Sequence, residues 1–183
     1  MKHWLSHTLA LIGVGLATFA VTPTHAQITA PGPYYATPSW DQQLPAATRF
    51  IVLSNWNNDA VLDRETGLVW ERAPDRTRYQ WHAAHFHCIN SVLGGRRAWR
   101  LPTLQELASL VDPTVGDPGP FLPPGHPFTN LSGFEYWSAT SNADNPSSAY
   151  TVTFRLGGLT AGWSKTNDWV VWCVRGGQGV DLQ

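Results

Sequence analysis

"AWRLPTLQEL" (residues 98–107) sets a large aromatic and a fixed cation directly before a helix start. Thr103 and Glu106 stand at the T-x-x-E spacing of a capping box, where each side chain satisfies a backbone N–H that the first helical turn leaves unpaired. Pro102 fits before that cap because it has no N–H to waste. Leu104, Leu107, Ala108 and Val111 supply an apolar face, and Pro113 stops the helix soon after Asp112. The proline and the glutamate thus have local roles. Trp99 and Arg100 have none, and two readings compete for them: a ligand-binding pair, or a lock on the fold. Arg100 lies between a core-type tryptophan and a helix start. It is expected to be buried or half-buried, bonded to backbone carbonyls or to a carboxylate such as Glu106 or Asp112.

Upstream, Trp81, Ala84, Cys88 and Val92 recur at helical spacing, and Phe86, Ile89 and Leu93 widen the stripe. A first helix is expected from Arg78 or Tyr79 to about Leu93, ended by Gly94 and Gly95. Before it, "RFIVL", "AVLD" and "LVWER" read as short strands, the last two around a turn at Gly67. Downstream, Tyr150, Val152, Phe154 and Leu156 alternate with polar residues. Gly157-Gly158 marks a hairpin, and Leu159, Ala161 and Trp163 return on the same face with Arg155 opposite Thr160. "DWVVWCVR" is apolar on both faces and reads as a central strand. The expected class is α+β, with two helices on a twisted, mainly antiparallel sheet.

Residues 9–21 are mostly apolar and follow a weakly basic start, and "THA" ends at Ala26, the pattern of a cleaved export signal. That run is short for a membrane span of roughly 20 residues, so no span is expected in the mature chain. Residues 27–48 form a proline-rich arm, 49–177 the domain and 178–183 a tail. Hydrophobic content of 43% supports a packed core. Once Lys2 leaves with the signal, 11 Lys and Arg face 13 Asp and Glu, which argues against nucleic acid as a partner. Export also sets the reading of Cys88 and Cys173, the two cysteines of the chain. An even pair in an oxidising compartment reads as a disulfide, here clamping the first helix to the sheet.

Other candidate chemistry is thinner. His82, His85 and His87 decorate the first helix, but a metal site needs three or four converging ligands, and His85 falls within the apolar arc. Residues 142–145 ("NADN"), with Asn167 and Asp168, offer oxygens of the type calcium takes, although such residues commonly make turns. No cofactor is therefore expected, with calcium left open. Glu135 lacks the paired carboxylate of a glycosidase, and no nucleophile–base motif is readable, so an enzyme is not expected. Residues 113–127 hold six prolines and three glycines and form a candidate functional loop. Of the 10 tryptophans, Trp70, Trp81, Trp99, Trp137 and Trp172 sit in patterned segments and read as core. Trp163 and Trp169 flank the polar turn "SKTND". Either both pack beneath it, or Trp163 with Lys165, Asn167, Asp168 and nearby Arg155 makes a ligand face.

The order "RETGLVWER", Trp81-x-x-Ala84-x-x-x-Cys88, "GGRRAWRLPTLQELASLVD", "GHPF", "EYWSAT" and "WCVRGG" resembles the C-terminal domain family of the Legionella collagen-like adhesin. The resemblance covers roughly residues 49–177. It implies a variant of the C-type lectin-like fold, related to formylglycine-generating enzymes, and an exported module that binds sulfated glycosaminoglycan or another envelope or extracellular glycan. The alternative is a protein-interaction or structural module of the envelope without a glycan ligand. This chain has no collagen-like stalk, and it is slightly acidic, whereas sulfate recognition wants clustered Arg or Lys. Arg96, Arg97, Arg155 and Lys165 are the candidates for such a patch. Neither the oligomeric state nor the compartment beyond export follows from the residues.

Overall fold

The apolar run at residues 169–175 serves two sheets. The computed structural model describes residues 44–116, 118–155 and 160–177; the expected export signal, most of the proline-rich arm, the Gly157-Gly158 turn and the tail lie outside them. Strands β1 (Phe50–Val52), β2 (Ala60–Asp63), β3 (Val69–Glu71) and β9 (Val174–Arg175) lie side by side in that order, all antiparallel. The second sheet runs β4 (Arg78–Tyr79), β8 (Trp169–Val170), β5 (Glu135–Ser141), β6 (Ser148–Thr153) and β7 (Thr160–Ser164). It is antiparallel except between β5 and β8. Helices α1 (Ala46–Arg49), α2 (Trp81–Asn90) and α3 (Leu104–Ala108) complete the elements, with a 3-10 turn at Ser54–Trp56. The chain is thus a mixed α+β protein with few helices on curled sheets and one disulfide.

The expected single central strand is therefore two strands of two residues, one in each sheet. The reason lies in the period of an extended chain, which sends successive side chains to opposite sides. Val170, Trp172 and Val174 enter a core with Trp70, Leu107, Leu122, Phe128, Tyr136 and Phe154. Val171 and Cys173 enter a second core with Trp81, Ala84, Cys88, Trp99, Leu101 and Trp137. Apolarity on both faces marks a segment shared by two cores. Trp70, Trp81, Trp99, Trp137 and Trp172 are all buried, as their patterned segments predict. The Cys88–Cys173 disulfide ties α2 to the junction between the sheets rather than to the middle of one.

Helix α2 is shorter than its periodicity predicts, because Arg78 and Tyr79 pair with Val170 and Trp169 in the second sheet. At the other end the Ser91 hydroxyl donates to the His87 carbonyl, and Ser91 leaves helical geometry before the glycines. Its buried side is Trp81, Ala84 and Cys88 alone. Val92, expected in the core stripe, lies past the helix end at 49% exposure, and Phe86 and Ile89, at 66% and 57%, face outward and do not widen the stripe. The β6–β7 register also differs from expectation. Val152 lies opposite Thr160, and Thr151 opposite Ala161. Paired residues share a face, so Ala161 and Trp163 stand with Thr151 and Ala149, not with Tyr150 and Val152. Arg155 lies beyond the end of β6 rather than opposite Thr160. The proline-rich stretch contributes to packing: Leu122 and Phe128 are buried, and the Phe121 N–H donates to the Phe154 carbonyl.

Two arginines act as internal staples. Arg49 is fully buried, with a two-pronged bond to Asp63 (2.9 and 2.8 Å), an ion pair to Glu65 (3.1 Å) and a bond to the Ser109 carbonyl. Glu65 in turn accepts the Leu44 N–H, so the packed region begins ahead of the boundary at residue 49. Arg100 donates to both Glu106 oxygens (2.8 and 2.7 Å) and to the carbonyls of Leu101 and Gly176. Glu106 is also the capping residue: its carboxylate accepts the Thr103 N–H while the Thr103 hydroxyl accepts the Glu106 N–H. Asp112 takes no part and instead caps Thr114. Gly177 lies over this pair at φ +69°, where an added Cβ would stand 2.7 Å from Leu68 and about 3 Å from the Arg100–Glu106 pair.

Arg100→Ala is expected to lower stability by about 2 kcal/mol, since it strands a half-buried carboxylate. A thermal melt several degrees lower would show this, and an unchanged melt would remove the staple role. Replacing both cysteines by alanine is expected to cost about 2–5 kcal/mol, read as a lower denaturant midpoint against the oxidised wild type.

Candidate functional site

The stretch "GGRRAW" builds a surface that rests on Trp56. Leu93 and Arg96 exchange backbone hydrogen bonds (3.2 and 2.9 Å), so Gly94 and Gly95 form a two-residue turn with φ of +57° and +69°. Such a turn requires left-handed backbone at both positions. Gly94 also lies against Trp56, and an added Cβ would come within 2.5 Å of the Trp56 Cβ. The turn therefore sets Arg96 beside that indole, its guanidinium carbon 5.4 Å from the ring centroid. Arg175, at the end of β9, approaches the same ring to 5.3 Å. Its Nε donates to the Arg97 carbonyl (2.9 Å), and the buried Trp99 indole donates to the Arg96 carbonyl (2.9 Å). Trp99 packs edge-on against Trp56 at 6.4 Å.

Arg96 and Arg175 thus converge on Trp56, with the Arg97 main chain bonded to Arg175; Arg96 and Arg97 are exposed and Arg175 and Trp56 half-buried. The ion pairs among the described residues join Arg49 to Asp63 and Glu65, and Arg100 to Glu106, and leave all three rim arginines unpaired with carboxylate. Asp59 is the nearby acidic group placed by contact, its carboxylate accepting the Gly94 N–H at 3.1 Å. Main-chain anchoring of Arg96 and Arg97 fixes where these two side chains leave the backbone.

A cleft of about 240 Å³ adjoins this rim. Leu93 and Asp59 wall it and also touch the rim turn, and Asn57 and Asn58, next to Trp56, line it with Arg72 and Thr129. Glu71 faces the same cleft while only 7% exposed. Its Oε2 accepts the Cys173 N–H (3.3 Å), and its carbonyl accepts the Trp172 indole (2.7 Å). Burial pushes the Glu71 carboxyl up to about 7; the Cys173 N–H opposes this, and the charge of Asp75 adds to it.

The site residues expected from sequence divide differently. Trp163, Lys165, Asn167 and Asp168 share the β7–β8 turn region. Lys165 is half-buried there, donating to the Ser141 hydroxyl (2.6 Å) with its ammonium 4.0 Å from the Trp81 ring centroid. Trp163 is 38% exposed and packs on Trp169 at 5.1 Å. Asn167 and Asp168 are exposed in the turn. Arg155 does not join them. Lys165 bonds backbone at Ser147, ahead of β6, whereas Arg155 follows β6 and packs over Gly133, so the two stand at opposite ends of that strand. Arg96 and Arg97 meet Arg175 instead. Sequence reasoning missed Trp56 and Arg175; the double arginine after a double glycine was the available signal.

Among the described residues no group of three or more His, Cys, Asp or Glu side chains converges as metal ligands would. His82 and His85 lie against the Trp81 ring and His87 against Tyr79. Within "NADN", the Asn142 side-chain oxygen accepts the Asp144 N–H, and the Asn145 oxygen accepts the Ser147 hydroxyl. Both oxygens serve turns. Glu135 accepts a bond from the Thr151 hydroxyl (2.6 Å), and burial raises its pKa. No helix of the described residues is long and apolar enough to cross a membrane.

Comparison with curated proteins finds no match. A family model described as the Lcl C-terminal domain matches residues 59–175. That span holds Arg96, Arg97, Arg175, Glu71 and both cysteines, while Trp56, Asn57 and Asn58 lie just ahead of it. With most of the chain inside the match, this protein belongs to the Lcl C-terminal domain family.

Proposed function

We propose that the protein is an exported, C-type lectin-like binding module of the adhesin type that recognises sulfated polysaccharide, and that it is a binder rather than an enzyme. One observation carries the ligand class: Arg96 and Arg175 gather at Trp56, with exposed Arg97 next in the chain and its carbonyl held by Arg175, and no carboxylate is paired to any of the three among the described residues. A guanidinium offers planar, forked donors that suit sulfate oxygens. The net charge of −1 does not oppose this. At physiological salt, charges beyond about 8 Å are largely screened, so a local cluster governs a local contact. The C-type lectin-like reading is supported by the mixed α+β architecture and the single disulfide from α2 to the segment between β8 and β9.

A second reading, docking of a protein partner, is favoured by the outer side of α2. Phe86 and Ile89 are exposed there, with exposed Val92 just past the helix end, and the helix carries no Asp, Glu, Lys or Arg. Exposed apolar groups that stand together mark interaction surfaces.

Wild-type protein is expected to be retained on immobilised heparin or fucoidan and released by salt. Arg96→Ala with Arg175→Ala should weaken binding on the order of tenfold or more per arginine, while Arg155→Ala elutes with wild type. Absence of retention, or retention that salt does not alter, would remove the sulfated-glycan reading. For the second reading, sedimentation velocity and cross-linking are expected to show an assembly that Phe86→Ser with Ile89→Ser abolishes without changing heparin retention. A monomer at all concentrations would exclude docking of a second copy on α2.

A further inference from the structure

The cleft beside the arginine rim differs from the rim in chemistry. Its lining carries two carboxyl groups, Asp59 and Glu71, which do not favour an anion. It carries an unusual supply of unengaged polar atoms as well. Asn57 and Asn58 hold left-handed backbone at φ 52° and 60° and line the cleft. Asparagine tolerates that conformation better than most residues, and neither side-chain amide is bonded by another described residue. Arg72 commits Nε to the Pro127 carbonyl (3.3 Å) and Nη1 to the Asn58 carbonyl (3.4 Å), which leaves Nη2. Glu71 is more than nine-tenths buried, and only its Oε2 is bonded, to the Cys173 N–H. Amides, a guanidinium, a carboxyl and the Thr129 hydroxyl, with Leu93 as an apolar wall, match a ring that bears hydroxyls on its rim and C–H groups on its face. At about 240 Å³ the cleft is smaller than the ~300–1,000 Å³ sites of drug-sized ligands, a size suited to one unit rather than a chain.

We propose that this cleft is a subsite for one uncharged, hydroxyl-bearing sugar unit of a polyanionic chain whose sulfates lie on Arg96, Arg97 and Arg175. The proposal rests on the reading of the rim given above. Glu71 and Asn58 are its specificity-determining residues: the carboxyl as donor and acceptor to a sugar hydroxyl, the amide as its partner. The charged and titratable groups around Glu71 are Asp59 and Arg72, which line the same cleft, Asp75, whose charge acts on it, and Tyr79 and Tyr136, whose own titrations feel Glu71. As pH rises through about 7, Glu71 loses its donor proton and becomes an anion beside bound sulfates. Both changes weaken the complex.

Affinity is measured for heparin, fucoidan and dextran sulfate at pH 6 and pH 8. Inorganic sulfate, followed by the Trp56 indole NMR signal, serves as a probe of the rim alone. For the polysaccharide bound most tightly, wild type is expected to bind more weakly at pH 8 than at pH 6. Glu71→Gln should bind equally at both. Asn58→Gly, which keeps the backbone conformation, should lose about tenfold. Inorganic sulfate should bind all of these alike and lose affinity only with Arg96→Ala and Arg175→Ala. If Glu71→Gln and Asn58→Gly match wild type on every polysaccharide at both pH values, the subsite is wrong and the rim stands. If Asn58→Gly also loses inorganic sulfate, the division between cleft and rim is wrong. Should the paired arginine variant bind as wild type, or no polysaccharide bind at all, the rim reading falls and takes the subsite with it.

Discussion

The structure depends on one extended run that belongs to two cores at once. From Trp169 to Arg175, successive side chains alternate between an aromatic core centred on Trp172 and a second core that contains the disulfide. Trp172 makes ring contacts with Trp70, Phe128, Tyr136 and Phe154, all at 4.9–5.6 Å. Its indole N–H reaches the Glu71 carbonyl. Cys173 is bonded to Cys88 of α2 and presents its N–H to Glu71. Val174 exchanges two backbone bonds with Arg100, and Arg175 reaches Trp56. The strands of the first sheet have two to four residues, too few to make an independent sheet, and the second sheet, with its longer β5, β6 and β7, also takes a strand from this shared segment.

The candidate site follows from that constraint. Because Val174 is paired with Arg100, Trp99 and Leu101 turn into the second core while Arg100 turns outward to Glu106. Trp99 then holds the Arg96 carbonyl, and Arg175 holds that of Arg97. The same extended alternation that buries the tryptophan thus fixes the turn before it. Arg100 is consumed by α3, its cap and the Gly176 carbonyl, whereas its neighbours Arg96 and Arg97 stay outside. The cation nearest the helix start fastens the fold, and those just before it face solvent.

Much of this was legible in the residues. Thr103 and Glu106 predict a cap, and the cap is present, because capping is local chemistry that needs no knowledge of the rest of the chain. Two cysteines in patterned segments predict the bridge that the structure contains. The two-sheet arrangement was not legible. β4, β8 and β9 have two residues each, too few to show a period, and a segment shared by two cores looks the same as a central strand. The outward turn of Phe86 and Ile89 was hidden for a related reason. Helical periodicity locates an apolar arc, but the disulfide and Trp81 select which part of it faces inward. Trp56 and Arg175 are 119 positions apart, and tertiary pairings such as β3 with β9 and Arg100 with Val174 bring their neighbourhoods together.

The distribution of arginine explains how a slightly acidic chain can present a cationic surface. Arg49 and Arg100 are held by carboxylates within the fold. Arg64, Arg72 and Arg76 spend donors on backbone carbonyls, and Arg78 stacks on Phe134 at 3.7 Å. Each of these long side chains covers surface or closes a loop, as their mixed apolar and charged character allows. Of the rest, Arg155 stands apart beyond β6, whereas Arg96 and Arg175 meet at one indole with Arg97 beside them, its carbonyl bonded to Arg175, and none of the three is paired with a carboxylate among the described residues. An arginine neutralised by a carboxylate is already satisfied and has little to offer a ligand. One set by aromatic contact and main-chain bonds keeps its charge and the donors it has not spent.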